Sequence, residues 1–401
     1  MSKIITSKKE LLKAVEKDYY ALEYATEELK RDKEIVLKAV EKHGSALQFA
    51  SEELKGDKEV VLQAIMKAAN AFQYSTAELR GDKEIALKAV EQHSDAFQYA
   101  SEELRGDRKF VLKAIELTGN YINDILKYAS EELKGDKKVV LKAIENYGTA
   151  LEYASEELRG DRKFILKAVK LHYKLFQYAS EELRGDKEFV LKSVDQGILE
   201  YVSEELRGDK EVVLKAMRQS GLALQYVSKE LQGDKEVVLK AVSNWGDALQ
   251  YASKELQGDK EVVLKTIKQA SDDDMDCDAF QYSTEELRRD KKFMLKAIEL
   301  DRFGRIFEYA PKELLEDKEF ILEAVKNNGL VLEYIPEELK SDRKIVLEAV
   351  KNKGFALKYV SKELQGDKEV VLKAVSNWGD ALQYASKELQ KDKDILKLIK
   401  K

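Results

Sequence analysis

Asp274, Asp276, Asp278 and Glu285 are the residues whose types and spacing come nearest to a chemical site. They lie in and just after the acidic run Asp272-Asp273-Asp274-Met275-Asp276-Cys277-Asp278, the longest interruption of an otherwise regular sequence. Counted from Asp274 they imitate positions one, three, five and twelve of a calcium loop, where alternating carboxylates converge on a hard cation. Two features oppose that reading. Position six is Ala279 where the sharp turn wants glycine, and Glu285 belongs to a Ser/Thr-Glu-Glu-Leu motif that recurs along the chain. A solvated acidic loop accounts for the same residues, so no metal site and no cofactor are expected. The three histidines, His43, His93 and His172, are spaced too far apart to share one ion, because a zinc ligand must sit about 2 Å from its metal. No serine, cysteine or carboxylate pair breaks the pattern as a nucleophile with its base would, and no phosphate-cradling glycine loop occurs. The sequence therefore predicts a protein that is not an enzyme.

The pattern that these residues interrupt is a repeat of 25 residues, as from Asp57 to Asp82 to Asp107. Its opening aspartate, taken as position one, returns in phase as far as Asp392, with Ser7 in the first place. Residues 1–6 then form a tail, 7–391 fifteen repeats and 392–401 a capping half-repeat. A unit this short cannot bury its own apolar face and must stack on its neighbours, which predicts an all-α solenoid.

Within a unit the aspartate suits a helix N-cap, and apolar residues follow at positions four, five, six, eight and nine, as Ile85, Ala86, Leu87, Ala89 and Val90. Glycine at position thirteen (Gly44, Gly148, Gly246, Gly329, Gly379) predicts a left-handed helix stop. A shorter segment such as Ala96-Phe97-Gln98-Tyr99-Ala100 comes next, then a serine-capped turn before the next aspartate. Pro311 and Pro336 take that serine's place, as proline can at the opening of a helix. Alanine at position eight predicts close approach between neighbouring first helices.

Three rows run through the repeats. Tyrosine holds position eighteen from Tyr24 to Tyr384, with Phe49 once in its place, which reads as core packing. Lysine recurs at position seven, with glutamate four residues before it (Glu34, Glu84, Glu188, Glu236, Glu369), which predicts i,i+4 pairs on a wet face. Position twelve varies freely: His43, His93, Tyr147, His172, Trp245, Lys353 and Trp378 all stand there, and changes in repeat length cluster in the same turn. A variable edge on a rigid frame is where recognition of a partner is expected, and the two tryptophans should be at least partly exposed. Residues 226–257 and 359–390 are identical, which a modular scaffold tolerates and a single catalytic constellation would not explain.

The run from Tyr178 to Val194, Tyr-Ala-Ser-Glu-Glu-Leu-Arg-Gly-Asp-Lys-Glu-Phe-Val-Leu-Lys-Ser-Val, resembles the repeats of the family called domain of unknown function 4116. The rhythm is more loosely similar to that of leucine-rich variant repeats, which alternate α and 3₁₀ helices. The first resemblance implies a helical solenoid, and it raises the reading of an effector-type protein acting in a host cell.

Charged residues make up 36% of the chain, and the net charge of −6 is spread evenly, with no basic field to condense on phosphate. The expected function is a scaffold binding a protein partner through the turn edge. The alternative is a nucleic-acid reader with one variable side chain per repeat, which the charge balance disfavours. One cysteine, no signal-peptide pattern and no membrane-length run suggest a cytoplasmic protein, or one delivered to a host cell without a classical signal, and no membrane partner.

Overall fold

A computed structural model describes residues 4–118, 125–146, 148–194, 197–218, 220–272 and 278–399. Apart from one isolated bridge between Ile5 and Ala25, the regular structure of these residues is helical. The chain divides into two compact units, Met1–Asp186 and Lys187–Lys401, and each is an α-solenoid of stacked repeats.

The second repeat shows the design of the first unit. Its α-helix Lys33–Lys42 is followed by a 3₁₀ helix, Gly44–Phe49, and a one-turn α-helix, Glu52–Lys55. In the second unit Lys235–Asn244, Gly246–Tyr251 and Lys254–Gln257 repeat the arrangement. The start signals act as the sequence implies. Asp32 Oδ1 accepts from the amides of Glu34 and Ile35, and Ser51 Oγ from that of Leu54. Pro311 caps Lys312–Leu315 but has no N–H. It therefore cannot make the bond by which Ser51, Ser101 and Ser253 donate to the preceding repeat's backbone, at Lys30, Arg80 and Gln232.

The core of this repeat is Ile35, Val36, Ala39, Val40, Ala46, Leu47, Ala50 and Leu54, all buried. Two expected members lie outside it. Leucine at position six is half-buried in every repeat, from Leu12 to Leu372. At 100° per residue it sits about 130° from the centre of the stripe made by positions four, five, eight and nine. Tyrosine at position eighteen is likewise not core: it is half-buried in every repeat that carries it but the first, where Tyr24 is exposed. With three residues per turn, positions sixteen and nineteen share the buried face. Position eighteen lies in line with the small alanine at fifteen, on a flank too narrow to cover a phenol ring.

The glycine at position thirteen is not a left-handed stop. Among the described residues only Gly197 and Gly304 have positive φ. Position twelve instead turns extended, as at His43 (φ −155°, ψ 122°), and the 3₁₀ helix begins at the glycine. In the tightest repeats glycine is required there by the next repeat. A Cβ on Gly44, Gly329 or Gly354 would lie 2.1, 2.2 or 2.4 Å from the carbonyl oxygen of Ala64, Ala349 or Ala374, the position-eight residue one repeat on. Small residues at eight and thirteen thus permit one close contact.

Charge joins the repeats. The basic residue at position two reaches the opening aspartate of the following repeat in both units, as Lys33 to Asp57 at 2.8 Å, Lys58 to Asp82 at 2.6 Å and Lys235 to Asp259 at 2.8 Å. Each aspartate caps its own helix with one oxygen and takes the neighbour's cation on the other. The glutamate at position three commonly joins the same lysine, as Glu59 with Lys33 and Glu261 with Lys235. That partnership replaces the expected i,i+4 pairs, of which only Glu188 with Lys192 forms among the described residues. Four position-seven lysines, Lys38, Lys88, Lys113 and Lys296, pair instead three residues on, as Lys88 with Glu91.

Two outcomes are expected. Gly329→Ala should destabilise the protein by more than about 2 kcal/mol through the carbonyl clash. Gly148→Ala, whose Cβ would meet nothing nearer than His172 Cδ2 at 3.8 Å, should change stability by less than about 1 kcal/mol; urea unfolding of both variants checks the contrast. The second concerns acid. The lysine beside Asp82, Asp107, Asp161 and Asp234 holds each carboxyl below the usual range. A carboxyl that is more acidic in the folded state binds its proton more readily when unfolded. Its stabilisation is complete above the unfolded pKa and fades as pH falls through the folded value. Melting temperature should therefore decline below about pH 4, and less steeply for Asp82→Asn.

Candidate functional site

The variable position twelve ends the first helix and begins the 3₁₀ helix, and there it has a structural task that its variability conceals. In several repeats the side chain there accepts a hydrogen bond and caps the 3₁₀ helix, though His172 and Ser220 do not. Asp18 Oδ1 accepts from Tyr20 N at 2.9 Å, His43 Nδ1 from Ser45 N at 3.2 Å and Asn328 Oδ1 from Leu330 N at 3.1 Å. His93 Nδ1 accepts from Asp95 N at 3.4 Å. In His43 and His93 it is thus Nδ1 of the ring that makes the cap. At position eleven, asparagines reach back to the preceding repeat. Asn352 Nδ2 donates to Lys326 O at 2.8 Å while its Oδ1 accepts from Gly329 N at 2.9 Å. The signal for this was present, since asparagine recurs before the glycine in the later repeats.

Exposure along position twelve is uneven. His43, His93, His172, Trp245 and Lys353 are exposed and Trp378 is half-buried. Tyr147 lies outside the described residues. Thr118, Ala270, Asp301 and Asn328 are buried. A reader of nucleic acid with one side chain per repeat needs every such side chain at the surface, so these four oppose the alternative function. The predicted residues stand one to a repeat, and the structure does not bring them together into a single site.

What does collect on this edge is apolar surface. Among the described residues, apart from Tyr24 and the chain's two end segments, the large apolar side chains that are exposed are Tyr20, Met66, Leu117, Leu171, Tyr173 and Trp245. All six occupy positions ten to fourteen. Between the third and fourth repeats the edge opens into a groove of about 450 Å³, with Met66, Ala68 and Asn70 on one wall and His93, Asp95 and Tyr99 on the other. Alanine at both Ala68 and Ala69, where other repeats carry larger residues or glycine, helps to leave this space. Met66 is 66% exposed at its rim.

Aromatic clusters mark the edge elsewhere. Tyr19 stacks on His43 at 4.5 Å and on Tyr20 at 4.4 Å. Hydrogen bonding to Tyr20 pushes the Tyr19 phenol up to about 12. In the second unit Phe355 lies 5.6 Å from both Trp378 and Tyr384 and 5.9 Å from Tyr359, with the Lys358 ammonium 5.4 Å from the Phe355 ring. Burial holds the Tyr359 phenol above its usual range, helped by a hydrogen bond to Glu333.

Of the calcium-like residues, Asp274 and Asp276 lie outside the described residues. Asp278 opens the 3₁₀ helix Asp278–Tyr282, and Glu285 opens the short helix Glu285–Arg289, where Arg289 takes its carboxylate at 2.5 Å. Among the described residues no group of three or more His, Cys, Asp or Glu is placed to hold a metal ion, and no helix is long and apolar enough to cross a membrane.

The family model described as "Domain of unknown function (DUF4116)" matches in overlapping segments from 9–55, 32–80 and 57–105 through to 317–365 and 367–401. The chain belongs to the DUF4116 family. Among curated proteins nothing matches. Among solved structures it is similar to a "circular tandem repeat protein with novel repeat topology and enhanced subunit contact surfaces". That match has 15% identity and a TM-score of 0.13 over 98% of this chain and 86% of the other. A second is "Computational Design of Self-Assembling Cyclic Protein Homooligomers", with 14% identity and a TM-score of 0.08 over 98% of this chain and 95% of that one. Likeness at these scores carries no argument, and the fold of this DUF4116 chain rests on its own structure.

The duplicated segment supplies a controlled comparison within one DUF4116 chain. Trp245 and Trp378 have identical neighbours in sequence, yet Trp245 is 41% exposed while Trp378 is half-buried. The preceding repeat differs: Phe355 packs against Trp378, and Leu222 holds the equivalent place before Trp245. Trp245→Ala should therefore alter stability by less than about 1 kcal/mol, whereas Trp378→Ala should cost roughly 1–3 kcal/mol. Thermal melts of the two single variants compare them directly.

Proposed function

We propose that this DUF4116 chain is a non-catalytic scaffold that binds a protein partner through the turn edge of its repeats. The observation that carries this reading is that, among the described residues and apart from Tyr24 and the two end segments, the exposed large apolar side chains lie at positions ten to fourteen. Such side chains cost stability in water and gain when a partner covers them. Met66, Leu171 and Trp245 are the anchors, because methionine, leucine and tryptophan provide large contact areas and tryptophan is frequent among the dominant residues of interfaces. The groove beside Met66 takes a side chain of the partner. Action as an effector in a host cell is a variant of the same reading and rests on the family resemblance.

The test is photo-crosslinking from positions 66, 171 and 245 in the full chain, combined with the triple variant Met66→Asp, Leu171→Asp, Trp245→Asp. The same protein should be captured from more than one of these positions. The triple variant should lose that capture by at least about tenfold, while its circular dichroism and melting temperature stay close to the parent's. Capture that is unaffected by the variant, or tight filter binding of nucleic acid at low salt, would overturn the proposal.

A further inference from the structure

A second surface, independent of the turn edge, lies on the outer face of the first helices in the second unit. Positions three, six, seven and ten fall within about 100° of a helix circumference and so share one face. Every repeat places its half-buried leucine there, and most place lysine beside it at position seven. In the repeats of the first unit that open at Asp32, Asp82 and Asp107 a glutamate at position ten pairs with that lysine: Lys38 with Glu41 at 3.6 Å, Lys88 with Glu91 at 2.8 Å and Lys113 with Glu116 at 3.4 Å. The face is then a row of leucines among paired charges.

Three successive repeats of the second unit, opening at Asp209, Asp234 and Asp259, depart from this. Position ten is Arg218, Ser243 and Lys268 where the repeats opening at Asp32, Asp82 and Asp107 have glutamate. Lys240, Lys265, Lys268 and Arg218 are exposed, and none forms an ion pair among the described residues. Lys215, beside Leu214, reaches back to the carbonyl of Leu191 in the repeat before it. The carboxylates of this face are already engaged: Glu211, Glu236 and Glu261 are held by Lys187, Lys210 and Lys235 at 2.9, 2.9 and 2.8 Å. Four basic side chains, Arg218, Lys240, Lys265 and Lys268, therefore lie on this face beside Leu214, Leu239 and Leu264 with no ion pair among the described residues. The patch ends where Lys296 again finds Glu299, at 3.0 Å. The duplicated segment carries the same change, Ser376 beside Lys373 repeating Ser243 beside Lys240.

We infer that this leucine and lysine face docks an acidic amphipathic helix of a partner protein. The leucines supply apolar contact, and the four cations attract and orient a negatively charged segment. Spacing fits a helix laid across the repeats. Neighbouring helices lie roughly 8–10 Å apart, and seven residues of an α-helix rise about 10.5 Å, so one heptad of the guest spans one repeat. A nucleic acid would meet the glutamates lining the same face and gain nothing from the leucines. A membrane would meet leucines that are only half exposed.

The probe is a fluorescein-labelled peptide of about three heptads, with leucine at the first and fourth places of each and glutamate at most others, titrated with the full chain by fluorescence anisotropy. Binding in the micromolar range is expected. Lys240→Glu, Lys265→Glu, Lys268→Glu should weaken it at least about tenfold, while Lys38→Glu, Lys88→Glu, Lys113→Glu in the first unit should leave it within about twofold. These lysines are exposed, and melting curves verify that both variants fold. No binding of the peptide, equal loss in the two triple variants, or tighter binding to phosphatidylserine vesicles or single-stranded RNA would overturn the inference.

Discussion

Each repeat's opening aspartate satisfies two demands at once, and the stack depends on it. One oxygen takes the free amides of its own helix, while the other receives the cation of the repeat before it. The first bond is local and fixes where a helix begins. The second spans 24 residues in the regular repeats and fixes how that helix sits on its neighbour. An exposed ion pair by itself contributes little. Here its partner is already immobilised by the capping bonds, so less side-chain entropy is lost in forming it, and the same contact recurs along both units. Register within a repeat and register between repeats are thus set by one side chain.

The close approach at position thirteen is the apolar counterpart of that contact. Because no Cβ intervenes, the start of one 3₁₀ helix sits against the carbonyl of alanine at position eight in the next repeat. Backbone to backbone packing of this kind leaves no room for variation at positions eight and thirteen in the tightest repeats. Position twelve, one residue away, is free to vary because its side chain points along the edge and not between the stacked helices, except in the repeats where it is buried. The capacity to change side chains there without disturbing the stack is what makes the turn edge suitable for recognition.

Two surfaces consequently differ in kind. The turn edge carries isolated large apolar groups of many types, suited to one particular partner surface. The outer face of the first helices carries an invariant leucine row, and its character is set by whether position ten supplies a carboxylate. In the repeats opening at Asp32, Asp82 and Asp107 the lysine finds its glutamate, and in those from Asp209 to Asp259 position ten offers none.

Much of this was legible in the sequence, and the reasons are local. A period of 25 residues, an aspartate before an amphipathic stretch and a serine before Glu-Glu-Leu specify caps and helices through interactions within a few residues of the chain. The variable edge could also be read, since variation against a fixed frame is visible without coordinates. What only the tertiary structure decided depends on the neighbouring repeat. Glycine at thirteen looks like a left-handed stop until the next repeat's carbonyl is placed beside it. Glutamate at three looks like the partner of lysine at seven until a lysine 26 residues earlier, as Lys33 is to Glu59, proves nearer. Tyrosine at eighteen looks like core until three residues per turn place it on a narrow flank. Trp245 and Trp378 carry the same point to its limit: a sequence repeated without change fixes the helix they end, and the ring packed against it from the previous repeat fixes how much of each indole meets water.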